Sequence, residues 1–122
     1  MMLWLDDIRK PPWGYELWAK TYDQCVELLL KHGDAIEHVS LDHDLGPEAY
    51  ATVDGDQPID RSSLTEKTGY DVLSWMHENN KWVPDISVHT MNPKGAQDMM
   101  TKLQNRAPAH VKFRRIRLGQ MT

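Results

Sequence analysis

A chain of 122 residues with 26% charged side chains and a formal net charge of −4 is long enough to form one domain burying roughly two-thirds of its unfolded surface. Its acidic balance argues against an extended nucleic-acid footprint. One cysteine, Cys25, excludes an internal disulfide. No apolar run approaches the roughly 18 to 20 residues of a membrane span, and no signal-peptide pattern is present. A cytoplasmic protein without membrane contact is therefore expected, with no indication of its oligomeric state.

The first element is "MLWLD", residues 2–6, whose large apolar side chains over a short run suit a buried strand. The Pro-Pro pair and Gly14 mark "IRKPPWGYE" as a loop. Thr21 and Gln24 form a capping box ahead of an apolar stripe of Val26, Leu29 and Leu30, and Gly33 is placed to end a helix over 22–32. A second buried strand is expected at 36–42. Residues 46–67 are polar and without a sustained period, long for a connection in a compact domain, and read as a functional flap or a partly mobile segment.

Thr68 and Asp71 open a second helix running through Asn79, with Tyr70, Leu73 and Met76 on one face. A third strand is expected at 85–90. Asn92 then stands as N-cap with Pro93 at the first helical position, where a missing N–H costs nothing. Pro108 stops that helix, and "HVKFRRIRL" forms a fourth strand. Strands alternating with helices imply an α/β domain with a mainly parallel sheet of about four strands and right-handed crossovers.

In such sheets ligands bind beyond the carboxyl ends of the strands, and the polar clusters fall there. Strand one ends in Asp6-Asp7 with Arg9 beyond; strand two ends in Asp42-His43-Asp44; strand three ends in His89-Thr90 with Asn92 following. Carboxylates gathered this closely need either raised pKa values or a cation. A divalent ion such as Mg²⁺ or Mn²⁺ on Asp6, Asp7, Asp42 and Asp44 is the simpler solution. The alternative is that two of the acids are turn or helix caps facing away, Asp7 and Asp44 first by strand alternation.

His43 and His89, each beside carboxylates, are candidates for proton exchange near neutral pH. Arg9, Thr90 and Asn92 are candidates for gripping a phosphate, Arg9 by its fork and the other two at a helix N-terminus. Several other features have ordinary explanations. "DGDQPID" lacks the spacing of a calcium loop and reads as a polar turn. His38, in a His-x-Ser tripeptide, reads as a strand residue. Trp13 and Tyr15 can stack on a nucleobase or pack over a helix end. Lys112, Arg114, Arg115 and Arg117 give the last strand a basic edge or a contact to a phosphorylated partner.

Asp6-Asp7, Asp42 and Thr90 resemble, in order, the site positions of receiver domains, which implies a three-layer, flavodoxin-like fold. Departures are the small strand number, the lack of a lysine after the last strand, with Arg117 nearest, and the histidines at 43 and 89. "LDDIRKPP", "SLDHDLG", "TGYDVLSWM" and "VHTMNPKGA" resemble the successive signatures of the cyclic-phosphate processing receiver-like domains. That resemblance implies phosphoester chemistry on a cyclic phosphate, such as a 2′,3′-cyclic RNA end in RNA repair. The expectation is thus a metal-dependent phosphoesterase acting on a phosphorylated small molecule or RNA end, with Asp42, His43 and His89 as candidate catalytic residues. The alternative is a phospho-accepting or non-catalytic receiver module.

Overall fold

A computed structural model describes residues 1–45 and 67–117. Its elements in chain order are β1 (Met2–Leu5), β2 (Leu17–Ala19), α1 (Tyr22–His32), β3 (His38–Leu41), α2 (Gly69–Asn79), β4 (Asp85–Val88), α3 (Pro93–Arg106) and β5 (Lys112–Arg115). The sheet is parallel throughout with order β2-β1-β3-β4-β5. Among the described residues five strands replace the four expected. The additional one, Leu17-Trp18-Ala19, pairs only with β1 and is too short for a period-two pattern to show.

Local chemistry sets the helix starts. The Thr21 hydroxyl accepts from the Gln24 amide at 3.1 Å, and the Gln24 side chain accepts from the Lys20 amide at 2.8 Å. Asp71 and Thr68 form a full capping box, and Asn92 Oδ1 accepts from Gly95 at 3.0 Å.

Strand alternation divides the sheet into two unlike faces. Leu3, Leu5, Ala19, Val39, Leu41, Ile86 and Val88 point to one side and join Cys25, Leu29, Leu73, Met76, Met99 and Leu103 of the helices in the core. The helices pack side by side there, α1 on α2 and α2 on α3.

Crossover handedness accounts for this. The connections β2→β3, β3→β4 and β4→β5 all step across the sheet in the same direction, so right-handed crossovers place their helices on one face. Only β1→β2 steps the other way, and its connection is the 6–16 loop. Among the described residues, that loop rather than a helix supplies the third layer. Its Tyr15 packs edge-on against Trp4 and His38. The reading of 46–67 as a flap falls, but for Lys67, outside the described residues.

Candidate functional site

The strand order reverses at β1, which lies between β2 and β3, and the carboxyl ends of β1 and β3 meet at that switch point. Leu5 pairs with Leu41 and Leu41 with Val88. The next residues, Asp6, Asp42 and His89, therefore stand side by side, and the ladder continues through them: Asp42 donates its amide to Leu5 and His89 to Leu41. All three fall on the face away from the helices.

Asp6 is fully enclosed. Its Oδ1 accepts from the amides of Ile8 at 2.9 Å and Arg9 at 2.8 Å, an Asx-type turn that bends the chain out of β1. Two indoles secure the turn, Trp18 donating to the Asp6 carbonyl and Trp4 to the Arg9 carbonyl, both at 2.8 Å. Oδ2 faces His89 Nε2 at 3.2 Å and Arg9 Nη1 at 3.4 Å. Burial alone would raise the Asp6 carboxyl. The His89 hydrogen bond, with the Arg9 and Ile8 amides, outweighs it and holds the group below its ordinary value.

Asp42 behaves in the opposite way. Burial, and after it the charge of Asp6, push it up to about 7, against the Thr90 hydroxyl, the His43 amide and Arg9. Its Oδ1 accepts from the His43 amide at 2.8 Å. Its Oδ2 is buried without a hydrogen-bond partner among the described residues, and the nearest cation, Arg9 Nη1, is 3.7 Å away. Asp7, partly exposed, completes a group with Asp6 and Asp42 in which one oxygen from each lies within 4.8 Å of the others.

Asp44, expected as a fourth ligand, lies outside that group. Its Oδ1 is 2.7 Å from His43 Nδ1, and its two oxygens each accept from Asn92 Nδ2 at 3.3 Å. His43 is buried and its ring rests on the first turn of α3, where a Cβ at Gly95 would meet it. His89 is wholly buried, stacked on Trp4 with centroids 3.8 Å apart. Burial, the largest influence, and Arg9 lower its pKa, while Asp6 opposes. Thr90 is buried and accepts the Asn92 amide at 3.2 Å. Arg9, Thr90 and Asn92 thus stand around the same sheet edge.

Four further residues belong to the same polar face, among them His38, expected as a strand residue, and Tyr15, expected as a stacking or packing position. Ser40, Ser87, His38 and Tyr15 form a hydrogen-bonded chain that reaches His89. The signal was available in the period-two alternation of "HVSLD" and "DISVH", where each polar residue is followed by an apolar one.

This is a receiver-type α/β domain: the flavodoxin-like order 2-1-3-4-5, an acidic pair after β1, an aspartate after β3 and a hydroxyl residue after β4. The chain belongs to the cyclic-phosphate processing receiver domain family, whose model matches residues 1–105. The family's name ties its members to the processing of cyclic phosphates. No curated protein and no solved structure matches the chain. Among the described residues no helix is long and apolar enough to cross a membrane.

Proposed function

We propose that the domain is a metal-dependent phosphoesterase that opens a cyclic phosphate, either on a 2′,3′-cyclic RNA end or on a related phosphorylated small molecule. The observation that carries this reading is Asp42 Oδ2, a buried carboxylate oxygen with no hydrogen-bond partner among the described residues, grouped with Asp6 and Asp7. An oxygen in that position needs a cation or a proton. The donor set is all oxygen, which suits Mg²⁺ or Mn²⁺, and partly exposed Asp7 leaves room for waters and a phosphate oxygen.

Asp6, Asp7 and Asp42 would hold the ion, which supplies positive charge against the phosphoryl oxygens. Arg9, its Nη1 already between Asp6 and Asp42, grips a further phosphate oxygen through its remaining N–H groups. Thr90 offers its hydroxyl to the same group. Asn92, N-cap of α3 and donor to Asp44, shapes the anion-favouring helix start. His43 exchanges the proton of the reaction, and its pairing with Asp44, whose side chain is 20% exposed, gives that proton a route to solvent. His89, enclosed, acts through Asp6. The cytoplasmic location expected from the sequence belongs to the same proposal.

The test is incubation with an RNA oligomer ending in a 2′,3′-cyclic phosphate, and with a cyclic mononucleotide, with and without Mn²⁺ or Mg²⁺, beside Asp42→Ala and His89→Ala. Cation-dependent ring opening that both substitutions abolish supports the proposal. Ring opening that survives both, or no reaction with either metal, overturns it. One observation favours a second reading: Asp42 ends β3 where receivers carry a phospho-accepting aspartate. A phosphodonor that leaves an acid-labile, base-labile phosphate on Asp42 would establish that role instead.

A further inference from the structure

The face of the sheet away from the helices holds two hydrogen-bonded runs, Arg114–Asp85–His38–Tyr15 and Ser87–Ser40–His89–Asp6, which meet where Ser87 approaches His38. Arg114 donates to both oxygens of Asp85, at 2.8 and 3.4 Å, and Asp85 Oδ2 lies 2.8 Å from His38 Nδ1. His38 Nε2 is 2.8 Å from the Tyr15 hydroxyl and 3.5 Å from Ser87 Oγ. Ser87 donates to Ser40 Oγ at 2.7 Å; Ser40 Oγ is 2.7 Å from His89 Nδ1, and His89 Nε2 is 3.2 Å from Asp6 Oδ2. Ser40, Ser87 and His89 have no exposed surface.

Each hydroxyl has one proton, and that sets the direction of the chain. Asp85 is held below the ordinary carboxylate range, burial being outweighed by Arg114 and His38, so it is ionised and only accepts. His38 must therefore donate from Nδ1, and its Nε2 is engaged by the Tyr15 hydroxyl at 2.8 Å. Ser87, at long range from that nitrogen, spends its proton on Ser40. Ser40, already accepting there, has its own proton for His89 Nδ1. His89 Nδ1 is then an acceptor, its proton sits on Nε2, and Nε2–H donates to Asp6. At the other end, Asp6 Oδ2 as the acceptor places a proton on Nε2, which agrees with that direction.

We propose that Ser40 and Ser87 are positioning residues that lock His89 as the neutral Nε2–H tautomer and make it a standing donor to Asp6 Oδ2. Asp6 Oδ2 is thereby held in place beside Asp7 and Asp42, ready for a cation. The part concerning the cation rests on the phosphoesterase reading; the tautomer does not. Trp4, stacked on the ring, fixes its plane. Partners of this kind behind a ligand typically change metal affinity about 10- to 100-fold when removed.

The full chain, labelled with ¹⁵N-histidine, is compared as wild type, Ser40→Ala, Ser40→Thr and Ser87→Ala, by long-range ¹H–¹⁵N spectra and by Mn²⁺ titration. Expected are a pure Nε2–H pattern for His89 in the wild type and a mixed or reversed one in Ser40→Ala, with about tenfold weaker Mn²⁺ binding. Ser40→Thr, which keeps the hydroxyl, restores both, and Ser87→Ala falls between. An Nδ1–H or doubly protonated His89 in the wild type overturns the proposal. So does a Ser40→Ala protein whose spectra and Mn²⁺ affinity are unchanged. If the wild type binds no Mn²⁺, the phosphoesterase reading fails, and the tautomer comparison still decides this one.

Discussion

Gly69 stands so close to Asp42 that a Cβ on it would lie 1.9 Å from the Asp42 carbonyl oxygen. The Gly69 amide also donates to the His43 carbonyl at 3.1 Å. The start of α2 is thus fastened to the backbone of the turn that carries Asp42 and His43, and the obstacle is main chain, which cannot swing aside. Gly69→Ala is expected to cost about 3 kcal/mol or more, the upper end of overpacking penalties, and to weaken Mn²⁺ binding along with it. Urea denaturation measures the first and titration the second. A stability loss under about 1 kcal/mol would show that the two segments separate easily.

Asp42→Asn separates the burial of that carboxylate from its neighbours. The folded pKa of Asp42, about 7, is above its ordinary 3.8, so its contribution to stability is lost as pH rises from about 4 to about 7. The ceiling is about 4 kcal/mol at 1.36 kcal/mol per unit. His89, lowered from 6.5, works in the opposite sense, its contribution disappearing as pH falls below about 6.5. The two slopes oppose each other in the wild type, so the difference between variants is the informative quantity. In chelated buffer Asp42→Asn should lie within about 1 kcal/mol of the wild type near pH 4.5 and exceed it by about 3–4 kcal/mol at pH 8. A gap that does not change with pH would contradict this.

Mn²⁺ at about 100 times its dissociation constant should stabilise the wild type by about 2.7 kcal/mol. Asp6→Asn and Asp42→Asn should lose at least about tenfold in affinity, whereas Asp44→Asn, outside the group of three, should stay within about threefold. Thermal shifts across a metal titration measure this. A large loss in Asp44→Asn would return that residue to the ligand set.

Arg9→Ala should leave stability within about 1 kcal/mol, since the guanidinium is over a third exposed. Its effect should appear in KM for a cyclic phosphate, raised about tenfold or more, because a charged hydrogen bond is worth about 1.5–3 kcal/mol. Arg9→Lys should recover only part, lacking the fork. An unchanged KM would remove Arg9 from the substrate's path.

Legibility in the sequence followed the length and regularity of each signal. α1 was readable to the residue because a cap, an apolar stripe and Gly33 all agree, and Asn92-Pro93 marked α3 for the same reason. β2 was not, because three residues beyond a Pro-Pro loop become a strand only through pairing with β1. At the site, position after a strand end was enough to gather Asp6, Asp42 and His89, since parallel register brings strand ends together. What side chains do once gathered depends on rotamers and on partners distant in sequence. Asp44 turning to His43 and Asn92, and Ser40 reaching His89 across 49 positions, are of that kind.

The two unlike faces of the sheet also determine how the chain can fold. Sliding β3 by one residue against β1 and β4 would turn Ser40 and Asp42 into the layer filled by Leu29, Leu73 and Met99, and bring Val39 and Leu41 out among hydroxyls and carboxylates. A short apolar strand would tolerate such a slip; this one is penalised on both sides at once. The residues that equip the strand ends for chemistry therefore also discriminate against misaligned sheets, and replacing Ser40 or Ser87 with valine should widen the range of pairings the folding chain can try.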